Sequence, residues 1–313
     1  MISRRLIRIK VFKLFFSRTY SKSRSLTSAG NELIQSLEKT VDLYYLLLFL
    51  PVALKKYGIS KMESGLQKFH PTPEEVNPNK KFVLNRVVET FENDKTLRDY
   101  LAKRGLNWNE HNDFVKKLYL EIQSHPYFAA YLNNNISSYR DDLSLISSFF
   151  ETELEDNEDL HSILEDQSLY WIDDLAYVLG VILKVLSSLK EGGVPKHPDM
   201  FKQQEDREYA LRLLEHAILH YDQYLNLIRT FALNWEVDRM AATDICLIIL
   251  GVSEVVCCPT IPVKVTINEV VELAKYYSTP NSRLFVNGVL DKIVQHLKEE
   301  GQIVKEGRGL VEN

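Results

Sequence analysis

Glycine and proline are both scarce, at 12 and 10 in 313 residues. A sandwich of many short strands needs far more turn residues than that, which leaves long helices as the expected class. Cysteine is scarcer still: Cys246, Cys257 and Cys258 make an odd count without any C-x-x-C spacing. That argues against a disulfide framework and a zinc site, and it points to a reducing, cytoplasmic compartment. Apolar runs are short as well. Residues 43–50 are strongly apolar, but a bilayer crossing takes about 20 such residues, so no membrane segment is expected. No G-x-G-x-x-G or P-loop pattern occurs, and no cofactor or small-molecule substrate is expected.

What the chain has is helical periodicity. Apolar residues make up 45% and charged residues 26%, an ordinary balance for a chain that buries a large core. Residues 2–20 read as an amphipathic helix carrying Leu6, Ile9, Phe12 and Phe16 on one stripe. A second helix is expected over 29–50, ending at Pro51, and residues 58–81 read as a polar linker containing Pro71, Pro73 and Pro78. Shorter helices follow at 82–91, 97–103 and 110–123, then 141–156 and 168–189. The stripe Leu211, Leu214, Ile218, Tyr221, Leu225, Ile228 predicts one continuous helix over 203–233, and another is expected from 237 to 256. Thr266 and Glu269 have capping-box spacing ahead of the apolar run 270–277. A last helix is expected over 284–297, and the tail reads as frayed. The expected fold is all-α, with two packed helical subdomains.

Charge is unevenly placed. Residues 1–24 hold eight basic side chains (Arg4, Arg5, Arg8, Lys10, Lys13, Arg18, Lys22, Arg24) and no acidic one, and the first acid is Glu32. The rest of the chain carries 30 basic against 43 acidic residues, a net of −13. A cationic end on an acidic body points to a polyanion partner. The same Arg- and Ser-rich, acid-free composition also describes a mitochondrial transit peptide, and composition leaves the two open. The acidic cluster within 151–159 reads as a solvated face.

Two segments near the end carry a resemblance. The stretch Pro262-Val263-Lys264-Val265-Thr266-Ile267-Asn268-Glu269-Val270-Val271-Glu272-Leu273-Ala274-Lys275 is very similar to a helix-opening segment of the NusB family. Ser282-Arg283-Leu284-Phe285-Val286-Asn287-Gly288-Val289-Leu290-Asp291-Lys292 resembles that family's final helix. Residues 244–254 line up with the preceding core helix, and Arg4-Arg5-Leu6-Ile7-Arg8 resembles the arginine-rich start of the first. The likeness covers about a third of the chain, whereas residues 60–200 have no recognised counterpart. The expected organisation is a basic helical segment over 1–57, a divergent helical insertion over 58–200, a NusB-like domain over 201–300 and a tail over 301–313.

The resemblance implies an RNA-binding protein without an active site. It implies binding of a boxA-like single-stranded RNA together with the ribosomal protein NusE, within a transcription elongation complex. Arg4, Arg5, Arg8, Lys10 and Lys13 are then the expected phosphate contacts. Phe285 is the expected base stacker, with Asn281 and Ser282 bonding base edges, and Asp244 is the implied partner contact. Asn281 stands where many relatives carry an acid, and Ile249 where they often carry a base. From the residues alone, at helical spacing with Leu284 and Val289, Phe285 reads as a core aromatic. The Asn287-Gly288 pair reads as a point of close helix approach. His216 and His220 have the i, i+4 spacing of metal ligands, but without a third donor they read as structural. A protein–protein adaptor that keeps the fold and binds no RNA is the alternative function.

Overall fold

The computed structural model describes residues 1–20, 25–232 and 240–310. Every regular element among them is helical, and Ile2 with Phe201 forms an isolated parallel bridge. Chain contacts divide the protein into two compact units, one of Met1–Leu37 with Asp199–Asn313 and one of Glu38–Pro198. The second unit therefore starts earlier than the insertion read from the sequence at residue 58. No helix among the described residues is long and apolar enough to cross a membrane.

The helices in chain order begin with α1 (Arg4–Tyr20), α2 (Leu26–Leu48), α3 (Leu50–Leu66) and α4 (Pro73–Val76). Next come α5 (Arg86–Asn93), α6 (Lys95–Arg104), α7 (Asn112–Ser124) and α8 (Pro126–Asn133). They continue with α9 (Tyr139–Thr152), α10 (Glu158–Gln167) and α11 (Leu175–Ser188). The last are α12 (Gln204–Leu219), α13 (Tyr221–Phe231), α14 (Ala242–Cys257), α15 (Val263–Tyr277) and α16 (Ser282–Glu299). The division between the units falls inside α2.

In the first unit α14 is the hub. It packs against α1, α12, α13, α15 and α16, and every residue from Cys246 to Val255 is buried. A helix that is apolar all round belongs in a core. Gly251 makes the packing possible, because a Cβ there would lie 2.9 Å from Leu290 Cδ2 and 3.2 Å from Val270 Cγ2. Gly288, expected to serve close approach, faces open space instead. α1 buries Leu6, Ile7, Val11, Phe12, Leu14 and Phe15, so this segment is core material of the unit. Its buried surface is wider than the single stripe read from the sequence because both α12 and α14 pack on it.

The tail does not fray over its described length. Lys305 Nζ donates to the carbonyls of Val255 (2.8 Å) and Cys258 (3.0 Å), the last carbonyls of α14. Glu306 N–H donates to Pro259 O at 3.1 Å, and Gly309 sits against the same carbonyl with no room for a Cβ. A cation at a helix C-terminus is favoured by the helix dipole.

Four boundaries differ from expectation, each for a local reason. Pro51 opens α3 instead of closing α2, since its missing N–H costs nothing in a first turn. α3 then runs to Leu66 through Gly58, whose bare Cα lets Tyr119 approach. The expected 203–233 helix is interrupted at His220, giving α12 and α13. The capping box forms at Thr72 and Glu75, while α15 starts at Val263 behind Pro262 and leaves Thr266 buried inside it. The expected helix start at residue 237 lies outside the described residues, as do Lys22 and Arg24.

The second unit is built around buried polar hubs. Arg104 grips both oxygens of buried Asp42 at 2.7 and 2.8 Å, and Tyr100 donates to the same carboxylate at 2.8 Å. Asp94 caps α6 through Leu97 N–H and also meets His197 Nε2 at 2.8 Å. Asn85 caps α5 and donates to Asp142 O at 3.1 Å.

Gly251→Val is expected to lower unfolding free energy by about 1–3 kcal/mol through overpacking. Gly288→Ala, in an open helical position, is expected to raise it by about 0.5–1 kcal/mol. Urea denaturation of the two variants reads both; an equal response would sink the assignment of close approach to Gly251.

Candidate nucleic-acid interface

The arginines of α1 are engaged. Arg8 Nε donates to Glu254 Oε1 at 2.8 Å, with 5% and 1% of the two side chains exposed. Arg8 Nη1 also meets Glu269 Oε2 at 3.5 Å. Tyr209 donates its hydroxyl to the same Glu254 oxygen and lies under the Arg8 guanidinium, 5.8 Å from ring centroid to Cζ. Burial lowers the Arg8 pKa, but Glu254, Tyr209 and Glu269 together raise it by more, and the net direction is upward. The Tyr209 hydroxyl is pushed up by burial and then by Glu254. Arg8 is thus a buried charged anchor, and the phosphate contact expected of it is ruled out by its burial.

Its neighbours are different. Arg4 pairs with Asp206 at 3.0 Å and lies 5.3 Å from the Tyr209 centroid, with 38% of its side chain exposed. Arg5 makes a two-pronged pair with Glu269 at 3.1 and 3.2 Å, with 56% of its side chain exposed. Lys10 is buried, so it too is withdrawn from the surface. Lys13 is half-buried, its ammonium 5.6 Å from the Tyr277 centroid; Tyr277 in turn packs against Phe12 at 5.4 Å.

The turn between α15 and α16 is stapled from below. Asp244, in the first turn of α14, accepts from Ser278 Oγ and, at 2.8 Å, from Ser282 Oγ. Thr243 and Ser278 share a hydrogen bond at 2.7 Å, as do Thr279 and Ser282. Both Asp244 and Ser282 are buried. The residues expected to touch protein and RNA are therefore bonded to each other, and what they do is hold the turn. Asn281 is exposed on that turn, its side chain makes no cap to α16, and Phe285 is half-buried one turn on. Ile249 is in the core with no exposure, which removes any surface contact at that position.

Four exposed residues of this edge were not singled out in the sequence: Lys275, Tyr276, Arg283 and Leu284. Tyr276 is 79% exposed. The signal was its phase: Val270, Leu273 and Ala274 face the core, and an aromatic off that stripe has no packing reason. Lys275 pairs with Glu272, whose pKa is lowered by that hydrogen bond and then by the charges of Lys275, Arg5 and Arg283. The edge therefore joins α1, α15 and α16 with three cations, an exposed tyrosine, and the helix start that follows Asn281.

His216 and His220 stack with centroids 4.0 Å apart and planes 19° off parallel, and Tyr224 lies over both. Ring nitrogens donate in the ring plane, so parallel rings do not converge on one ion. Among the described residues no group of three His, Cys, Asp or Glu is arranged to hold a metal. Burial, and then the charge of His220, lowers the His216 pKa to about 4.

Arg8→Ala leaves Glu254 buried without its cation and is expected to cost about 3–5 kcal/mol. Arg5→Ala breaks an exposed pair and is expected to cost below about 1 kcal/mol. Thermal and urea unfolding separate the two, and similar losses would contradict the anchor role. For His216 the folded pKa lies below the unfolded value, so the unfolded chain takes up a proton that the folded chain refuses. Stability is then lost as pH falls from about 6.5 towards 4, and His216→Gln is expected to flatten that slope in urea titrations across this window.

Residues 190–295 match the NusB family model. The chain is similar to the transcription antitermination protein NusB of Salinibacter ruber, 38% identical over 105 residues, or 34% of this chain and 66% of that protein. The NusB protein of Chloroherpeton thalassium is 32% identical over 136 residues, 44% of this chain and 64% of that one. That of Alkaliphilus oremlandii is 34% identical over 104 residues, 33% of this chain and 73% of that one. The chain thus spans just under two thirds of the first two relatives and more of the third. No solved structure matches it. The matched helices are those that enclose α14 and receive α1 within one compact unit, and the chain belongs to the NusB family.

Proposed function

We propose that the protein is a transcription antitermination factor that binds a boxA-like single-stranded RNA along the α1–α15–α16 edge, together with the ribosomal protein NusE. The observation that carries this reading is exposed Tyr276 with Lys275 and Arg283 on the two helices that flank a turn bonded to Asp244, while Arg5 of α1 pairs with Glu269 of α15. Cations at such an edge neutralise phosphates, and a preset turn lowers the cost of ordering the site. Splayed bases stack on an exposed ring, a role for Tyr276, with half-buried Phe285 one turn into α16 as a second candidate. Asn281 offers an amide to base edges, and the adjacent start of α16 suits a phosphate. Lys13, beside Tyr277, extends the edge along α1, and Arg4 adds a cation on the α12 side of that helix. The protein acts in the cytoplasm as part of an elongation complex, supporting ribosomal RNA transcription, and has no catalytic role and no cofactor.

The adaptor reading, with the fold kept and no RNA bound, is favoured by one observation: Arg4, Arg5 and Arg8 already have carboxylate partners. Fluorescence anisotropy with boxA-like and scrambled RNA, with and without NusE at two salt concentrations, decides between them. Preference for boxA, strengthened by NusE and weakened by salt, is expected. Arg5→Ala and Arg283→Ala should each reduce the salt slope by about 1, and Tyr276→Ala should cost about 1–3 kcal/mol of affinity. RNA-independent NusE binding with no response to boxA would leave the adaptor.

A further inference from the structure

Cys257 and Cys258 end α14 as its last helical residue and its C-cap, with their sulfurs 3.6 Å apart and both thiols free. Cys257 is half-exposed, and Cys258 is buried at 4%. The third cysteine, Cys246, is buried eleven positions earlier on the same helix, about 16 Å away along its axis. Two sulfurs therefore stand together and apart from the third.

Their spacing favours a bridged pair over a bonded one. A disulfide requires about 2.05 Å between sulfurs, so the pair must close by about 1.5 Å from its 3.6 Å separation. The backbone resists that closure, because Cys258 N–H donates to Glu254 O at 3.0 Å while Cys258 O accepts from Lys305 at 3.0 Å. A single soft atom about 2.3 Å from each sulfur, the usual thiolate–metal length, spans the observed 3.6 Å at an angle of about 100°. Zinc needs two further ligands, and among the described residues no third donor is placed to help. The hydrogen bond with Cys258, then burial and the charge of Glu254, push the Cys257 thiol up and favour its neutral form, which is slow in oxidation and exchange.

We propose that Cys257 and Cys258 form a preorganised bidentate site for trivalent arsenicals, a neutral thiophilic class that condenses with thiols without a change of oxidation state. For a hydrated monosubstituted arsenical, R–As(OH)2 + 2 Cys–SH gives R–As(S–Cys)2 + 2 H2O. Two As–O bonds break, two As–S bonds form, each thiol proton leaves as water, and arsenic stays trivalent. The substituent projects from the Cys257 side, since Cys257 is the more exposed of the two residues.

The test treats the full-length protein with phenylarsine oxide and follows intact mass. One adduct per chain is expected, resistant to excess 2-mercaptoethanol and removed by 2,3-dimercaptopropanol. It should be kept in Cys246→Ser and lost in both Cys257→Ser and Cys258→Ser. The folded chain should bind at least ten-fold more tightly than the chain in urea. An adduct stripped by the monothiol, one that survives both serine changes, or equal affinity in urea would overturn the site. The monothiol and urea comparisons use the unmodified chain, so they stand even if a serine variant fails to fold.

Discussion

The buried ion pair of Arg8 and Glu254 is the contact on which the first unit turns. Two charges inside a core carry a desolvation cost of several kcal/mol each, which their attraction offsets only when geometry and extra hydrogen bonds are good. Here the guanidinium faces Glu254, Glu269 and the Tyr209 ring at once. The carboxylate also receives the Tyr209 hydroxyl. The pair thus gathers α1, α12, α14 and α15 around one point. Hydrophobic packing of α1 would tolerate sliding along its axis, since leucine and isoleucine faces repeat. A buried charge must meet its countercharge, and this fixes the register of α1 and so the place of Arg4 and Arg5.

A second constraint acts at the other end of α14. Asp244 fixes the α15–α16 turn through two serine hydroxyls, and Gly251 between the two sites lets Val270 and Leu290 come close. One apolar helix therefore holds both halves of the proposed interface, the basic helix through Glu254 and the turn through Asp244. The spacing of ten residues along a rigid helix, about 15 Å, sets the separation of the two. The residues that the family resemblance marked as functional, Arg8, Ser282 and Asp244, are the ones that supply this framework.

Helix type was legible in the sequence because periodicity reports burial directly. The apolar stripe of α12 and α13 and the continuous apolar run of α14 fixed their helical character. Their boundaries were less legible, since a break such as His220 interrupts a stripe without changing its phase. Pro51 was misread because proline stops a helix everywhere except its first turn. The capping-box pattern at Thr266 failed for a similar reason: spacing says nothing about where the preceding proline starts the helix. Of the candidate edge, the basic helix and the turn stand out in the sequence, but which of their side chains face water does not. A positive charge reads as exposed unless its partner is known, and Glu254 lies 246 positions from Arg8. Tyr276 was legible in principle as an aromatic out of phase with its own stripe.

The engagement of the arginines changes what the charge asymmetry means. Eight basic residues before the first acid suggest a strongly cationic arm, yet Arg8 and Lys10 are buried, and Arg4 and Arg5 are already balanced by Asp206 and Glu269. A polyanion gains nothing from Arg8, whose burial keeps its partner permanent. It can compete for Arg5, because an exposed pair is worth at most about 1 kcal/mol and a phosphate replaces the carboxylate at little loss. Glu269 is then left without that prong but keeps Arg8 beside it at 3.5 Å. The shared carboxylate is what the proposed RNA binding would use: Glu269 Oε2 meets both Arg5 and Arg8, so an RNA phosphate that took Arg5 would leave the register that Arg8 sets undisturbed.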